Sequence, residues 1–351
     1  MRYLCVQIDK KSMAKILITG GTGYIGSHTA IELLQNTQYE VISIDNFVNS
    51  SPETVQRVSE ITGKNWKNYP IDLCDFAATK QVFAENPDIT GIIHFAAFKS
   101  VGESVEFPLN YYANNVISLI NILRLCEEFG VKNVVFSSSC SVYGNIEKMP
   151  VTEETPIAKA ECPYANTKVI GEQMIHDFVK NNDIHAVILR YFNPVGAHIS
   201  AKIGENPINK PNNLVPVITQ TAIGKIPKLR VFGGDYPTRD GSCVRDYIHV
   251  SDIANAHTKA IDFLQARKGQ HQVETFNLGT GEGITVLEAI QAFETVSGQK
   301  LNYEIGARRA GDVVTIYADC TKSMQVLGWQ PQYGILEMMQ TAWKWEQFLA
   351  K

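Results

Sequence analysis

A short apolar run that stops at glycine constrains this chain more than any other feature. Lys15-Ile-Leu-Ile-Thr19 has the form of a buried parallel strand and feeds directly into Gly20-Gly-Thr-Gly23-Tyr-Ile-Gly26. From Ser27 to Gln35 the chain continues with Ile31 and Leu34 at helical spacing. Glycine permits backbone angles that other residues avoid, and its missing side chain lets main-chain N–H groups approach an anion at a helix start. The spacing is GxxGxxG, and three glycines alone also suit an ordinary tight turn. The second strand, Glu40-Val-Ile-Ser-Ile-Asp45, weighs against that reading, because it ends in an acid 19 positions after Gly26. An acid there can bind both adenosine ribose hydroxyls of NAD and repel the extra phosphate of NADP. No arginine follows to receive such a phosphate; the next residues run Asn46-Phe-Val-Asn49-Ser50. NAD is the expected cofactor.

The alternation continues along the chain. Tyr69-Pro-Ile-Asp72 reads as a third strand end, Gly91–Ala97 as a fourth strand, Val131–Ser139 as a fifth and Ala186–Phe192 as another. Asp75–Asn86, Leu109–Phe129 and Tyr164–Lys180 have helical periodicity. Strands separated by helices of this length imply right-handed crossovers. The expected fold class is α/β, with a doubly wound parallel Rossmann sheet. With 351 residues, the chain exceeds the usual single-domain size. The expected division is an NAD-binding part over 1–193 and a second part over 194–351, with room for the chain to cross back to the first sheet. Residues 1–12 read as a possible non-native or disordered leader, since Met13-Ala-Lys15 is a natural start.

Charge excludes other classes of function. Lys and Arg number 32 against 36 Asp and Glu, with no basic run of the kind that holds nucleic acid or anionic lipid. No apolar stretch approaches the roughly 18 residues that cross a bilayer. The seven cysteines are scattered, without a CxxC or zinc spacing, so neither a metal site nor a disulfide framework is expected. Unclustered thiols suit a reducing compartment, and the cytoplasm is the expected location.

Tyr164 and Lys168 stand four apart on a helical stretch, so both can point into one site. A phenol has a reference pKa of about 10, and a neighbouring ammonium favours its ionised form. Tyr164 could then act as a general base. Alone, YxxxK also fits a surface helix pair. Ser139 closes the fifth strand, the edge where doubly wound folds bind ligands, although a serine run there also suits strand-end turn chemistry.

The glycine turn, Asp45, Ser139 and YxxxK together resemble the extended short-chain dehydrogenase/reductase superfamily. Six further blocks occur in order: His94-Phe-Ala-Ala-Phe-Lys-Ser-Val-Gly-Glu-Ser104, Tyr111-Tyr-Ala-Asn-Asn115, Phe136-Ser-Ser-Ser-Cys-Ser-Val-Tyr-Gly144, Leu189-Arg-Tyr-Phe-Asn-Pro-Val-Gly-Ala-His198, Pro211-Asn-Asn-Leu214 and Val244-Arg-Asp-Tyr-Ile-His-Val250. They resemble the UDP-glucose 4-epimerase family over nearly the whole chain, which implies a smaller α/β substrate-binding domain beside the Rossmann sheet. The resemblance implies a catalytic set of Ser139, Tyr164 and Lys168. It places Gly20, Gly23, Tyr24, Ile25 and Gly26 at the NAD pyrophosphate, and Asp45, Asn46, Asn49 and Ser50 on the adenosine side. Asp72 and Leu73 would meet the adenine, while Phe95, Ala96, Ala97, Lys99, Asn114 and Phe192 would line the remaining path, with Tyr164 and Lys168 at its end. The UDP-hexose would be held by Asn193, Asn213, Leu214, Val231, Phe232, Arg245, Arg309 and Asp312, together with Lys99, Ser139, Tyr164 and Ile316. A diphosphate suits arginine, although Arg245 and Arg309 could equally serve structural ion pairs.

Such enzymes invert carbon 4 of a UDP-hexose through a transient 4-keto sugar and NADH, and are commonly homodimers. Related nucleotide-sugar dehydratases place Asp-Glu after the catalytic hydroxyl, and decarboxylases carry an acid just before Val-Tyr-Gly. Here those positions hold Cys140 and Ser141. Simple epimerisation of UDP-glucose and UDP-galactose is therefore favoured. A catalytically inert cofactor sensor is disfavoured by the intact YxxxK. Ile316 aligns with a position that limits the hexose pocket, where it leaves UDP-GlcNAc and UDP-GalNAc open as substrates or as the main pair; it could also be ordinary strand packing.

Overall fold

The computed structural model describes residues 14–208, 211–267, 272–309 and 312–351; the leader lies outside the described residues. Its first half builds strands β1 (Lys15–Thr19), β2 (Glu40–Ile44), β3 (Lys67–Tyr69), β4 (Ile89–His94), β5 (Asn133–Ser139) and β6 (His185–Tyr191). They form one parallel sheet in the order β6-β5-β4-β1-β2-β3, with Val273–Leu278 pairing outside β6 as the seventh strand.

Successive side chains of β1 feed two different cores, which is why its whole run is apolar. Ile16 and Ile18 join one buried cluster with Leu33 of helix α1 (Tyr24–Asn36) and Ile253 of helix Val250–Ala266. Leu17 joins another with Phe83, Ile122 and Ile175, from helices Phe76–Glu85, Pro108–Phe129 and Pro163–Val179. The sheet is thus doubly wound.

Two expected strand ends fall three residues early. The fourth strand stops at His94, and Phe95–Ala97 leave the sheet over the glycine turn. The third stops at Tyr69, so Ile71 and Asp72 belong to the loop beyond.

After β6 the chain builds a smaller α/β layer with its own core. Val215, Ile218, Val231, Ile290, Phe293, Met339 and Trp343 pack there, from helices Leu214–Ala222, Val286–Ser297 and Ile335–Leu349 and strand Leu229–Phe232. Between these segments the chain returns to the large sheet. Helix Val250–Ala266 lies beside α1, and Val273–Leu278 supplies the seventh strand. Among the described residues no helix is long and apolar enough to cross a membrane.

Candidate active site

The glycine turn leaves room that no other residue would. Gly20 has φ of 70°, and a Cβ on it would stand 2.9 Å from Ala96 N. A Cβ on Gly26 would stand 2.2 Å from Gly20 O. Gly23 caps α1 without any side-chain hydrogen bond, and Tyr24 and Ile25 form the first turn. The positive end of the helix and its leading N–H groups are therefore available to an anion. The Tyr24 hydroxyl turns aside and donates to Gly196 O at 2.7 Å.

Asp45 stands at the neighbouring strand end, fixed by three donors. Thr22 N donates to Oδ2 at 3.1 Å, and Phe47 N and Ser50 Oγ donate to Oδ1 at 2.9 Å each. Asn46 Oδ1 accepts from Val48 N, closing the turn that carries Asn49. Beyond β3, Asp72 accepts from Cys74 N at 2.8 Å, and the carbonyl of buried Leu73 accepts from Asn121. Cys74 Sγ contacts Asn114 O on helix Pro108–Phe129, joining that corner to the next wall. Phe95 N donates to Thr19 O, which lays Ala96 against Gly20, and Lys99 follows Ala97 on the same loop. These groups all line the carboxyl edge of one sheet, the edge where such folds bind nucleotides. The orphan helix start, the cradle that a Cβ would fill and the pinned carboxylate fit NAD.

At β5 the chemistry converges. Ser139 Oγ accepts from Ser141 N at 3.2 Å, and its hydroxyl stands near enough to the Tyr164 phenol to draw the phenol's pKa down. Helix Pro163–Val179 begins immediately before Tyr164 and carries Lys168 one turn on. Lys168 Nζ donates to Ser137 O at 2.7 Å and lies 6.0 Å from the centre of the Tyr164 ring. Burial pushes the phenol up to about 12, against the lowering effect of Ser139. Burial draws the lysine down to about 8, against the field of Glu172.

The second layer faces this edge. Phe192 is buried just beyond β6, and Asn193 opens strand Asn193–Val195. Asn193 Oδ1 is buried without a hydrogen-bond partner. Asn213 caps the helix that begins at Leu214. Val231 is buried, whereas the next residue, Phe232, is exposed with the Arg309 guanidinium 5.2 Å from its ring centre. Asp312 binds Arg309 at 2.6 Å and approaches Arg245 at 3.9 Å. Arg245 also acts on the Cys140 thiol, drawing its pKa down against burial, so this arginine lies beside the loop that leaves Ser139. Ile316 pairs with Arg245 across two short strands and belongs to the core cluster containing Val142 and Tyr143.

Two supporting groups escape a motif-based reading. Glu172 continues the Tyr164–Lys168 face by one more turn and, buried, accepts two hydrogen bonds from Arg190, at 3.0 and 2.7 Å. The i, i+4, i+8 spacing was a signal for it. Asp246, beside Arg245, accepts from Thr280 N, Gly281 N and Ala318 N, which draws the two layers' loops together; nothing local in the sequence marks it.

Fold and site together define an NAD-binding protein of the extended short-chain dehydrogenase/reductase class. The family model described as GDP-mannose 4,6 dehydratase matches residues 17–342. A UDP-glucose 4-epimerase of Bacillus subtilis is 49% identical over 332 residues, covering 94% of this chain and 96% of its own. The Drosophila melanogaster UDP-glucose 4-epimerase is 46% identical over 338 residues, covering 94% of this chain and 96% of its own. The structure of a Bifidobacterium longum UDP-glucose 4-epimerase in complex with NAD+ and UDP has a TM-score of 0.91 at 44% identity, covering 95% of this chain and 98% of that one. The Stenotrophomonas maltophila enzyme, with NAD and formylated UDP-arabinopyranose, gives 0.92 at 43% identity, covering 96% and 99%. The chain belongs to the UDP-glucose 4-epimerase family.

Proposed function

We propose that this chain interconverts UDP-glucose and UDP-galactose by inverting carbon 4, with NAD as resident cofactor. The observation that carries the reading is the meeting of the Tyr164 phenol, the Ser139 hydroxyl and the Lys168 ammonium at the sheet edge beside the glycine cradle. NAD, when bound, supplies a hydride acceptor and donor to carbon 4. Tyr164 takes the proton of the sugar 4-hydroxyl and later returns one. Ser139 holds that hydroxyl and the phenol in line. Lys168, as an ammonium, favours the phenolate. Cys140 and Ser141 supply no carboxylic acid to expel water or carbon dioxide, so the 4-keto sugar is returned to alcohol.

The nucleotide must stay anchored while the hexose turns over. Asn193, with its unpaired acceptor, and Arg245 and Arg309, sharing one aspartate, suit that task. Phe232 offers an exposed ring to a flat base. The roles assigned above to Asn213, Leu214, Val231, Asp312 and the NAD-facing residues belong to this proposal, as does the division into parts at 193/194. Ile316 fills its place with a branched side chain of middling size, which supports some turnover of UDP-GlcNAc and UDP-GalNAc beside the main pair.

A homodimer is supported by an apolar face on the helices Val101–Glu106 and Pro108–Phe129. Val101, Val105, Leu109, Ile117 and Ile120 stand exposed there. Cytoplasmic residence is supported by six free thiols among the described residues. Product analysis with UDP-glucose and UDP-GlcNAc in parallel tests the activity. UDP-galactose should be the faster product, and a 6-deoxy-4-keto sugar would sink the proposal.

A further inference from the structure

Where the two layers meet, one carboxylate holds a residue from each. Glu205 Oε1 accepts from Lys99 Nζ at 2.9 Å and from Asn213 Nδ2 at 2.7 Å. Lys99 belongs to the loop leaving β4, beside the NAD cradle, and Asn213 caps helix Leu214–Ala222 in the smaller layer. Glu205 itself is built in. Ala197 and Gly204 pair across the turn before it, and Trp345 Nε1 donates to its carbonyl at 2.9 Å. A Cβ on Gly204 would stand 2.4 Å from the Trp345 ring, so glycine lets the backbone lie on the indole. The Glu205 side chain is 11% exposed and that of Lys99 is 62% exposed. The carboxylate is the fixed partner and the lysine the reaching one.

We propose that Glu205 is a positioning residue that holds Lys99 and Asn213 in the arrangement that grips the UDP diphosphate. This rests on the reading of those two residues as ligand contacts. An ammonium has three donors, so one spent on Glu205 leaves two for phosphate oxygens. The bond to Glu205 restrains a flexible four-carbon stem that the ligand would otherwise have to immobilise. Bare, a carboxylate here would repel a diphosphate; matched by Lys99, it does not. Because UDP is held in the same way before and during the turning of the hexose, loss of this grip weakens binding and leaves the chemical step alone.

The test compares Glu205→Gln, Glu205→Asp, Lys99→Met, Asn213→Ala and the double variant Glu205→Gln/Lys99→Met in the NAD-loaded enzyme. Glu205→Gln should raise the KM for UDP-galactose about tenfold, as loss of one charge-assisted bond does, with kcat within about twofold. UDP alone, titrated by calorimetry, should weaken in step. Glu205→Asp keeps the charge but shortens the reach, and should raise KM as well. Adding Glu205→Gln to Lys99→Met should not raise KM further, because glutamine still accepts from Asn213 and a carboxylate without its lysine only repels the diphosphate. An unchanged KM in Glu205→Gln, additive effects in the double variant, or kcat falling together with Tm in both Glu205 variants would each overturn the proposal. If Lys99→Met and Asn213→Ala themselves leave KM unmoved, the underlying reading of the ligand contacts fails instead.

Discussion

Tyr164 and Lys168 occupy one face of one helix, with the lysine ammonium 6.0 Å from the centre of the phenol ring and the Ser139 hydroxyl beside the phenol. This relationship unites two opposed displacements. Burial makes the phenol a weaker acid and the ammonium a stronger one. The site therefore keeps Tyr164 protonated until further positive charge arrives beside it.

Replacing Tyr164 with phenylalanine removes the proton acceptor and little else. Turnover should fall by about 10²- to 10⁴-fold, the range for a lost general acid–base group. NAD released on denaturing the purified variant should remain near one per chain. Activity that survived unchanged would assign the proton to another group.

Lys168 gives a pH signature in stability. Its folded pKa, about 8, lies below the ordinary lysine value of 10.5. Below about pH 8 the buried ammonium therefore carries its full desolvation cost, which is relieved as pH rises toward the unfolded value. Relative to Lys168→Met, the unsubstituted protein should gain about 2 kcal/mol of stability between about pH 7 and about pH 10. Denaturant unfolding at the two pH values measures it, and a gap of the opposite sign would contradict the assignment.

Asp45 is already pinned by Thr22, Phe47 and Ser50, so Asp45→Asn changes charge with little change of shape. Affinity for NAD should fall about 10- to 100-fold, as for bonds to a charged group, and discrimination against NADP should narrow. Binding of both dinucleotides to cofactor-stripped protein gives both quantities.

Two glycines separate crowding from backbone preference. Gly63 ends helix Glu53–Thr62 at φ of 66° with open space around it, so alanine there should cost only about 1 kcal/mol. In Gly26→Ala the new Cβ meets Gly20 O, and the cradle must spread. That variant should lose NAD as well as stability. Thermal unfolding with NAD content on each variant distinguishes the cases.

The buried Glu172–Arg190 pair predicts stability effects far larger than a surface bridge would give. Glu172→Gln should cost about 3–5 kcal/mol, because Arg190 would be left charged and incompletely matched. Chemical unfolding checks the loss, and a change below about 1 kcal/mol would mean that solvent reaches the arginine.

Much of this molecule was legible because its information is local. Thr19 to Gly26, Asp45 at a strand end and Tyr164 with Lys168 each combine residue type with short spacing, and the structure gathers them at one edge. The strand boundaries were less legible, since Phe95–Ala97 have strand composition yet leave the sheet, with Ala96 lying close over Gly20. Long-range relationships were not legible at all. The chain separating Lys99 from Glu205, and the late strand Val273–Leu278 that returns to pair with β6, carry no periodicity that announces the contact.

The most direct test is to supply UDP-galactose to the purified protein in deuterium oxide without added cofactor, and to read the product by NMR. Oxidation and re-reduction at one carbon within a closed site predict UDP-glucose that keeps its carbon-4 hydrogen. Deuterium on the sugar carbons, a 6-deoxy-4-keto product or no conversion would contradict the account.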